Sequence, residues 1–188
     1  PSCTASLNIV LKGILGRGDG LIISSLEHNA VTRPAETLKK QGIEVTVAEV
    51  IFGDYDATVR SFERAIQKNT KAIVCTHASN VTGEIMPIAK IGALCKERGI
   101  TFIVDAAQTA GVIPINMKEM NIDFLCIAPH KGLYAPMGVG ILIAEKEIPS
   151  VLIEGGTGVN SALSIQPKEY PERLESGTLN LPGIVGIG

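Results

Sequence analysis

Residues 101–108 have the sequence Thr-Phe-Ile-Val-Asp-Ala-Ala-Gln, a short apolar run that stops at an acidic residue. Phe102, Ile103 and Val104 are consecutive and apolar, which is typical of a strand covered on both faces of its sheet. Asp105 then lies at the end of this strand, where burying a carboxylate is costly unless it is paired. Two roles stay open for Asp105. It can cap the following turn through the backbone, or it can pair with a cationic group of a ligand.

The rest of the chain alternates similar apolar segments with amphipathic ones. The predicted strands are 21–24, 45–48, 71–75, 101–105, 123–127 and 138–144. The predicted helices are 30–41, 57–68 with Asp56 as N-cap, and 87–98 with Pro near its first turn. This alternation predicts an α/β fold in which a mostly parallel sheet is covered by helices on both faces. Beyond Val151 the pattern breaks into a long loop region, which we expect to be functional.

Composition excludes several classes of protein. The 188 residues are 45% hydrophobic and 19% charged, which suits one globular domain with an aliphatic core. The formal net charge of -2, without a basic cluster, argues against a nucleic-acid partner. No apolar run approaches the ~20 residues that span a membrane. Because the chain lacks an initial Met and stops inside a Gly-rich stretch, we expect a piece of a longer protein.

The cysteines bear on the compartment and on metal binding. The four cysteines are far apart in the sequence, and no spacing between them resembles a zinc site. Three of them lie in apolar or helical contexts, which predicts buried thiols in a reducing, cytoplasmic compartment. They are Cys3, Cys75, Cys95 and Cys126. We therefore predict no metal site.

Polar clusters follow four of the predicted strands, at 27–29, 76–83, 105–108 and 129–132. Because ligands of α/β sheets bind beyond the carboxyl ends of the strands, we expect these clusters at one edge. A pyridoxal-phosphate site needs a lysine for the aldehyde, a carboxylate for the pyridine nitrogen and a flat group against the ring. It also needs donors for the phenolic oxygen and a helix N-terminus or hydroxyls for the phosphate. Lys131, Asp105 and His28 are of the required types.

Each of these residues also has an ordinary structural explanation. Lys131 lies in a loop with Gly and Pro, where most lysines are simply solvated. A histidine such as His28 often lies at the surface or caps a helix. Asn80 is a common turn residue before Gly83, and Thr4 is a common helix cap before an amphipathic stretch. The case for a cofactor site therefore depends on the order of these residues and their shared position at strand ends.

Five stretches of the sequence resemble the class V aminotransferase group of fold type I, and most closely the cysteine desulfurases. The matching stretches occur in the family's order and cover nearly the whole chain. They are residues 24–30, 79–83, 104–108, 129–136 and 175–180. The resemblance implies a three-layer α/β sandwich whose mostly parallel sheet has one antiparallel strand. It also implies that residues 1–188 are the large pyridoxal-phosphate-binding domain, without the N-terminal segment and the C-terminal small domain.

The resemblance implies chemical roles at the cofactor ring. Lys131 would form the Schiff base with pyridoxal 5'-phosphate and afterwards act as a general acid and base. Asp105 would pair with the pyridine nitrogen. Gln108 would donate to the phenolic oxygen, with Asn80 close to the same edge. His28 would stack on the ring and take part in proton movement.

The resemblance also implies how the phosphate is held. Thr4 and the backbone beside it, including Cys3, would bind the phosphate at a helix N-terminus, and His130 would contact it too. Thr178 would reach the phosphate of the partner subunit in a homodimer. One departure from the family is Ala128, which supplies no hydroxyl to the phosphate. Further departures are Pro129 and Ala135 in the same loop.

The implied activity is that of a cysteine desulfurase, which converts L-cysteine to L-alanine and leaves the sulfur as an enzyme persulfide for an acceptor protein. The loop cysteine that takes the sulfur and the arginine that binds the substrate carboxylate match no position in this chain. Alternatives are a selenocysteine lyase, another class V aminotransferase, or a silent fragment that keeps the fold without turnover. Only sequence beyond these residues separates a cysteine desulfurase from a selenocysteine lyase or another class V aminotransferase.

Overall fold

Six strands form one sheet in the computed structural model, which describes residues 1–159, 162 and 164–188. The strands are β1 (Gly20–Ser24), β2 (Glu44–Ala48), β3 (Thr70–Thr76), β4 (Thr101–Asp105), β5 (Phe124–Ile127) and β6 (Ile141–Ala144). Their order across the sheet is β2-β1-β3-β4-β5-β6. All neighbours are parallel except β5 and β6, which are antiparallel. The predicted mostly parallel sheet with one antiparallel strand is confirmed.

Helices cover both faces of this sheet. The helices are α1 (Cys3–Ile14), α2 (Asn29–Lys40), α3 (Tyr55–Ala65), α4 (Ile88–Arg98) and the short α5 (Leu181–Val185). One apolar core joins α1 and α2 to the sheet, and the other joins α3 and α4 to its opposite face. Successive residues of β4 show why: Ile103 packs into the first core, and Phe102 and Val104 pack into the second. The continuous apolar strands are thus buried on both sides, as a three-layer sandwich requires.

Several predicted boundaries were wrong, and α3, predicted to end at residue 68, ends at Ala65. The N-cap of α3 is Asp54, whose carboxylate accepts the backbone N–H of Ala57 at 2.8 Å, and Asp56 lies in the first turn. Strand β6 begins at Ile141 and not at 138, because Gly138 has a left-handed φ of +89° that no strand accommodates. Among the described residues, no helix combines the length and the apolar character that crossing a membrane demands.

Candidate active site

A cavity of about 180 Å³ opens where β1, β3, β4 and β5 end. Its walls come from the loops that follow these strands and from the first turn of α1. Eight of the predicted site residues line it: Cys3, Thr4, His28, Asn80, Asp105, Gln108, His130 and Lys131. Thr178 is not part of the cavity wall and lies exposed in the loop before α5. The polar clusters that are separate in the sequence thus converge at one edge of the sheet.

Asp105 caps the following turn through the backbone, which is one of the two roles that its sequence position left open. Its side chain is 3% exposed, and Oδ1 accepts the backbone N–H of Ala107 at 2.9 Å and the thiol of Cys3 at 3.5 Å. In the described part of the chain, Oδ2 accepts no hydrogen bond and is not among the fully buried atoms. It is therefore accessible from the cavity that Asp105 lines. Burial raises the pKa of Asp105, against the opposing effects of these two donors and of the charges of His28 and Lys131.

Lys131 lies in a tight turn directly after β5. Its N–H donates to the Ala128 carbonyl at 3.1 Å, and its own carbonyl accepts the N–H of Tyr134 at 3.1 Å. The amine lies close enough to Asp105 for its charge to lower the pKa of that carboxyl group. Across the part of the chain that the structure describes, no carboxylate lies within ion-pair distance of the amine. Lys131 is also one of the residues that line the cavity.

Two glycines bring the Lys131 turn against the loop that follows Asp105. A Cβ on Gly132 would lie 2.3 Å from the carbonyl oxygen of Ala110. A Cβ on Gly111 would lie 2.5 Å from the carbonyl oxygen of Gly132, and Gly111 also has a left-handed φ of +82°. Only residues without a side chain allow the two backbones to approach this closely. This contact fixes the lysine loop relative to the loop that carries Asp105 and Gln108.

His28 caps α2 and also lines the cavity. Its Nδ1 accepts the backbone N–H of Ala30 at 3.0 Å, so the neutral ring carries its proton on Nε2. The ordinary explanation of His28 as a cap residue is therefore confirmed, together with its position beside the cavity. Because the cap bond holds Nδ1, the orientation of the ring is fixed by the start of the helix.

The N-terminus of α1 closes the side of the cavity next to β6. Ser2, and not Thr4, is the N-cap, because its Oγ accepts the N–H of Ala5 at 3.1 Å. Thr4 lies exposed in the first turn, so its predicted role as a cap was wrong. A Cβ on Gly140 would lie 2.2 Å from the backbone of Ser2, so the helix end abuts the segment that leads into β6. Backbone N–H groups of a first turn attract anions, as phosphate binding requires.

A buried hydrogen bond joins the loops that carry Asn80 and Gln108. His77 follows β3, and its Nδ1 lies 2.9 Å from the Oγ1 of Thr109. Both side chains are buried, and burial lowers the pKa of His77, which favours the neutral ring. The two amide side chains thus stand on loops that are held to each other below the cavity.

Comparison with known proteins shows the family of the chain. The family model described as Aminotransferase class-V matches residues 1–188. The chain belongs to the class V aminotransferase family. Within this family it is similar to a probable cysteine desulfurase of Methanothermobacter thermautotrophicus, at 30% identity over 97% of the chain and 47% of the relative. It is also similar to the cysteine desulfurase IscS of Dictyoglomus turgidum, at 36% identity over 98% of the chain and 45% of the relative.

Solved cysteine desulfurases share the fold of this class V aminotransferase chain. The apo structure from Thermococcus onnurineus superposes with a TM-score of 0.84 at 31% identity, over 99% of this chain and 48% of that one. The enzyme CsdA of Escherichia coli superposes with a TM-score of 0.83 at 25% identity, over 99% of this chain and 49% of that one. The chain spans about half the length of the relatives that it matches.

Sequence reasoning missed a buried acid beneath the site of this family member. Glu27 lies within residues 24–30, one of the stretches that resemble the family, but no role was predicted for its side chain. Its Oε1 accepts the Ser24 hydroxyl and the backbone N–H of Thr76, the latter at 2.7 Å. Oε2 is buried, and no partner for it exists among the described residues. Strand periodicity could not reveal this, because the partner Thr76 lies on the neighbouring strand, 49 residues away.

Proposed function

We propose that this chain is the pyridoxal-phosphate-binding domain of a cysteine desulfurase, with Lys131 as the residue that binds the cofactor covalently. The observation that carries the proposal is the convergence of the Lys131 amine, the open oxygen of Asp105 and the His28 ring on one cavity. The similarity to cysteine desulfurases over nearly the whole chain supports it.

The residues of the cavity fit the cofactor on chemical grounds. Asp105 is a nearly buried carboxyl group whose accessible oxygen lacks a donor, and a protonated pyridine nitrogen supplies one. The first turn of α1 offers backbone N–H groups to a phosphate, and Thr4 and His130 line the same cavity. Pyridoxal phosphate, when bound, supplies a protonated ring that withdraws electrons from the α-carbon of an amino acid.

The chain's own residues then divide the work of binding and proton transfer. Lys131 would hold the cofactor through a covalent bond from its amine to the aldehyde carbon, with water as the leaving group, and its amine would also carry protons to and from the substrate. Asp105 would keep the ring nitrogen protonated. His28, oriented by its cap bond to Ala30, would present a flat ring to the cofactor and would take part in proton movement. Gln108 would donate to the phenolic oxygen, and Asn80 would lie close to the same edge.

The substrate, the sulfur acceptor and the assembly belong to the same proposal. L-cysteine is the proposed substrate, because the named relatives are cysteine desulfurases. The four cysteines of this chain are all buried, and burial raises the pKa of each thiol. None is therefore suited to accept sulfur, and we place that nucleophile outside residues 1–188. A homodimer and a sulfur-acceptor protein complete the proposed system.

The proposal is tested by loading the full-length protein with pyridoxal phosphate. We expect a visible absorbance band that borohydride bleaches, and mass spectrometry of the reduced protein should place the added mass on the peptide that contains Lys131. Lys131→Ala should abolish the band, whereas the exposed Lys118→Ala should keep it. A band that survives Lys131→Ala would overturn the assignment. A normal band without alanine formation from cysteine would favour another substrate or a silent fold.

A further inference from the structure

The carboxyl group of Glu27 is enclosed at the base of the site, between the ends of two strands. The hydroxyl of Ser24, at the end of β1, and the backbone N–H of Thr76, at the end of β3, both donate to Oε1. Glu27 as a whole residue is partly exposed, but Oε2 is buried and no partner for it occurs among the described residues. Through Oε1, Glu27 thus joins the turn that follows β1 to the end of β3.

Among the described residues, no positive charge forms an ion pair with this carboxyl group. From β1 it is faced by Ser24, and from β3 by Thr76 and the Cys75 thiol. From β4 the nearest ionisable group is Asp105, which carries charge of the same sign. An ionised carboxylate here would lose hydration and gain repulsion, and one sealed oxygen would stay without a donor. Burial accordingly raises the pKa of Glu27 to about 8, although the Ser24 and Thr76 donors oppose it.

The position of Glu27 links this acid to the cavity. His28 follows it directly, caps α2 and lines the cavity, and Thr76 lines the same cavity from the other side. The Glu27 bonds therefore fix the spacing between two walls of the site. We propose that Glu27 is held as an uncharged carboxylic acid and acts as the positioning residue for the His28 ring. The inference rests on the proposed function in one respect, namely that the His28 ring contacts a bound cofactor.

The charge state is tested without any cofactor. The full-length protein, labelled with ¹³C at the glutamate side-chain carboxyl carbons, is titrated by NMR in three forms: wild type, Glu27→Gln and the control Glu36→Gln. Glu36 is an exposed carboxylate on α2, the helix that His28 caps. We expect one carboxyl resonance with a midpoint near 8 that is absent only from Glu27→Gln. A Glu27 resonance that titrates near its ordinary value of 4.5 would overturn the inference.

The positioning role is tested on the His28 ring itself. In ¹⁵N spectra of the cofactor-free protein at pH 7, we expect the Nε2-protonated form of His28 in wild type and Glu27→Gln. Glu27→Ala should lose this single form, because the turn is no longer tied to β3. Should Glu27→Ala fail to fold, the same comparison is made between wild type and Glu27→Gln at pH 9, where only the wild-type acid ionises. An unchanged His28 signal under both tests would contradict the positioning role.

Cofactor affinity gives the functional readout. We expect pyridoxal phosphate to bind nearly unchanged to Glu27→Gln at pH 7 and roughly tenfold more weakly to Glu27→Ala. Above pH 8 the wild-type affinity should fall while that of Glu27→Gln stays level. Equal affinities of all variants would contradict the role. If wild type binds no pyridoxal phosphate, the proposed function fails, and the two NMR measurements still decide the state and role of Glu27.

Discussion

Asp105 shows how one side chain supports both the fold and a ligand site. One oxygen holds the turn through Ala107, and the other has no donor among the residues that the structure describes. In the cofactor-free protein this arrangement is unfavourable, because the carboxyl group is 3% exposed and its donors in the described part of the chain are neutral. A cationic ring nitrogen would reverse the balance by offering a charge-assisted hydrogen bond.

The first residue-scale prediction concerns Asp105→Asn. The amide can keep the Ala107 bond, but it cannot hold a ring nitrogen in its protonated form. A charge-assisted bond of about 1.5–3 kcal/mol corresponds to a loss of roughly ten- to hundredfold in pyridoxal-phosphate affinity, measured by absorbance titration. Asp56→Asn, which removes only the exposed bridge to Lys90, should leave the affinity unchanged. Equal loss in both variants would show a general effect of charge.

Asp105→Asn should weaken cofactor binding but raise the thermal stability of the cofactor-free protein at neutral pH. Because the folded-state pKa of Asp105 is raised above its unfolded value of 3.8, the folded protein holds this proton more tightly. The contribution of this proton to the free energy of unfolding is complete below pH 3.8 and is lost as the pH rises through the folded-state pKa of Asp105. Without cofactor, Asp105→Asn should therefore be more thermostable than wild type at pH 7, and the difference should shrink toward pH 4. A constant difference would contradict the raised pKa.

At the scale of elements, the site depends on loops that contact one another through their backbones. The loop after β4 and the turn after β5 meet where Gly111 and Gly132 approach each other's chains. Each loop alone is an irregular segment, and the contact between them fixes the lysine turn. The N-terminus of α1 is placed in the same way, by Gly140 against Ser2.

Gly111→Ala tests this contact against a matched glycine. Gly53 also has a left-handed φ, +73°, but a Cβ there meets nothing within 4 Å. Gly53→Ala should lower the free energy of unfolding by about 1 kcal/mol through backbone strain alone. Gly111→Ala should lose about 1–3 kcal/mol more, because its Cβ would overlap the Gly132 carbonyl, and it should also weaken cofactor binding. Thermal unfolding and absorbance titration measure the two effects, and equal behaviour of the variants would contradict the close contact.

At the scale of the whole molecule, the cavity holds eight of the proposed site residues but not Thr178. Thr178 is exposed in the loop before α5, as are the nearby apolar side chains of Leu179 and Leu181. The proposal that Thr178 completes the site of a partner subunit therefore concerns the assembled protein, and it is tested by mixing subunits.

Mixing Lys131→Ala with Thr178→Ala subunits should restore activity if the site is shared. Each variant alone should be nearly inactive in the full-length protein. In a mixed dimer, one site would combine the intact Lys131 of one subunit with the intact Thr178 of the other. Random exchange should then recover up to about a quarter of the wild-type activity, measured as alanine formation from cysteine. No recovery, with mixed dimers verified by mass spectrometry, would place Thr178 outside the shared site.

The sequence by itself predicted the α/β layers of the fold and eight of the residues that line the cavity. Apolar runs such as 101–105 predicted buried strands, because a strand with both faces covered has no polar alternation. The order of polar clusters after the strands predicted one functional edge, since the carboxyl ends of parallel strands share an edge. Local caps were less predictable: Asp54 and Ser2 replaced the expected Asp56 and Thr4.

Only the tertiary structure decided how these residues are held and charged. The Glu27 bond to Thr76 and the Cys3 bond to Asp105 join residues 49 and 102 positions apart, and no local pattern records such pairs. The same holds for the backbone approach of Gly111 to Gly132. The physical reason is that burial and the loss of hydration depend on what surrounds a side chain in space, whereas sequence periodicity reports only which face of an element it occupies.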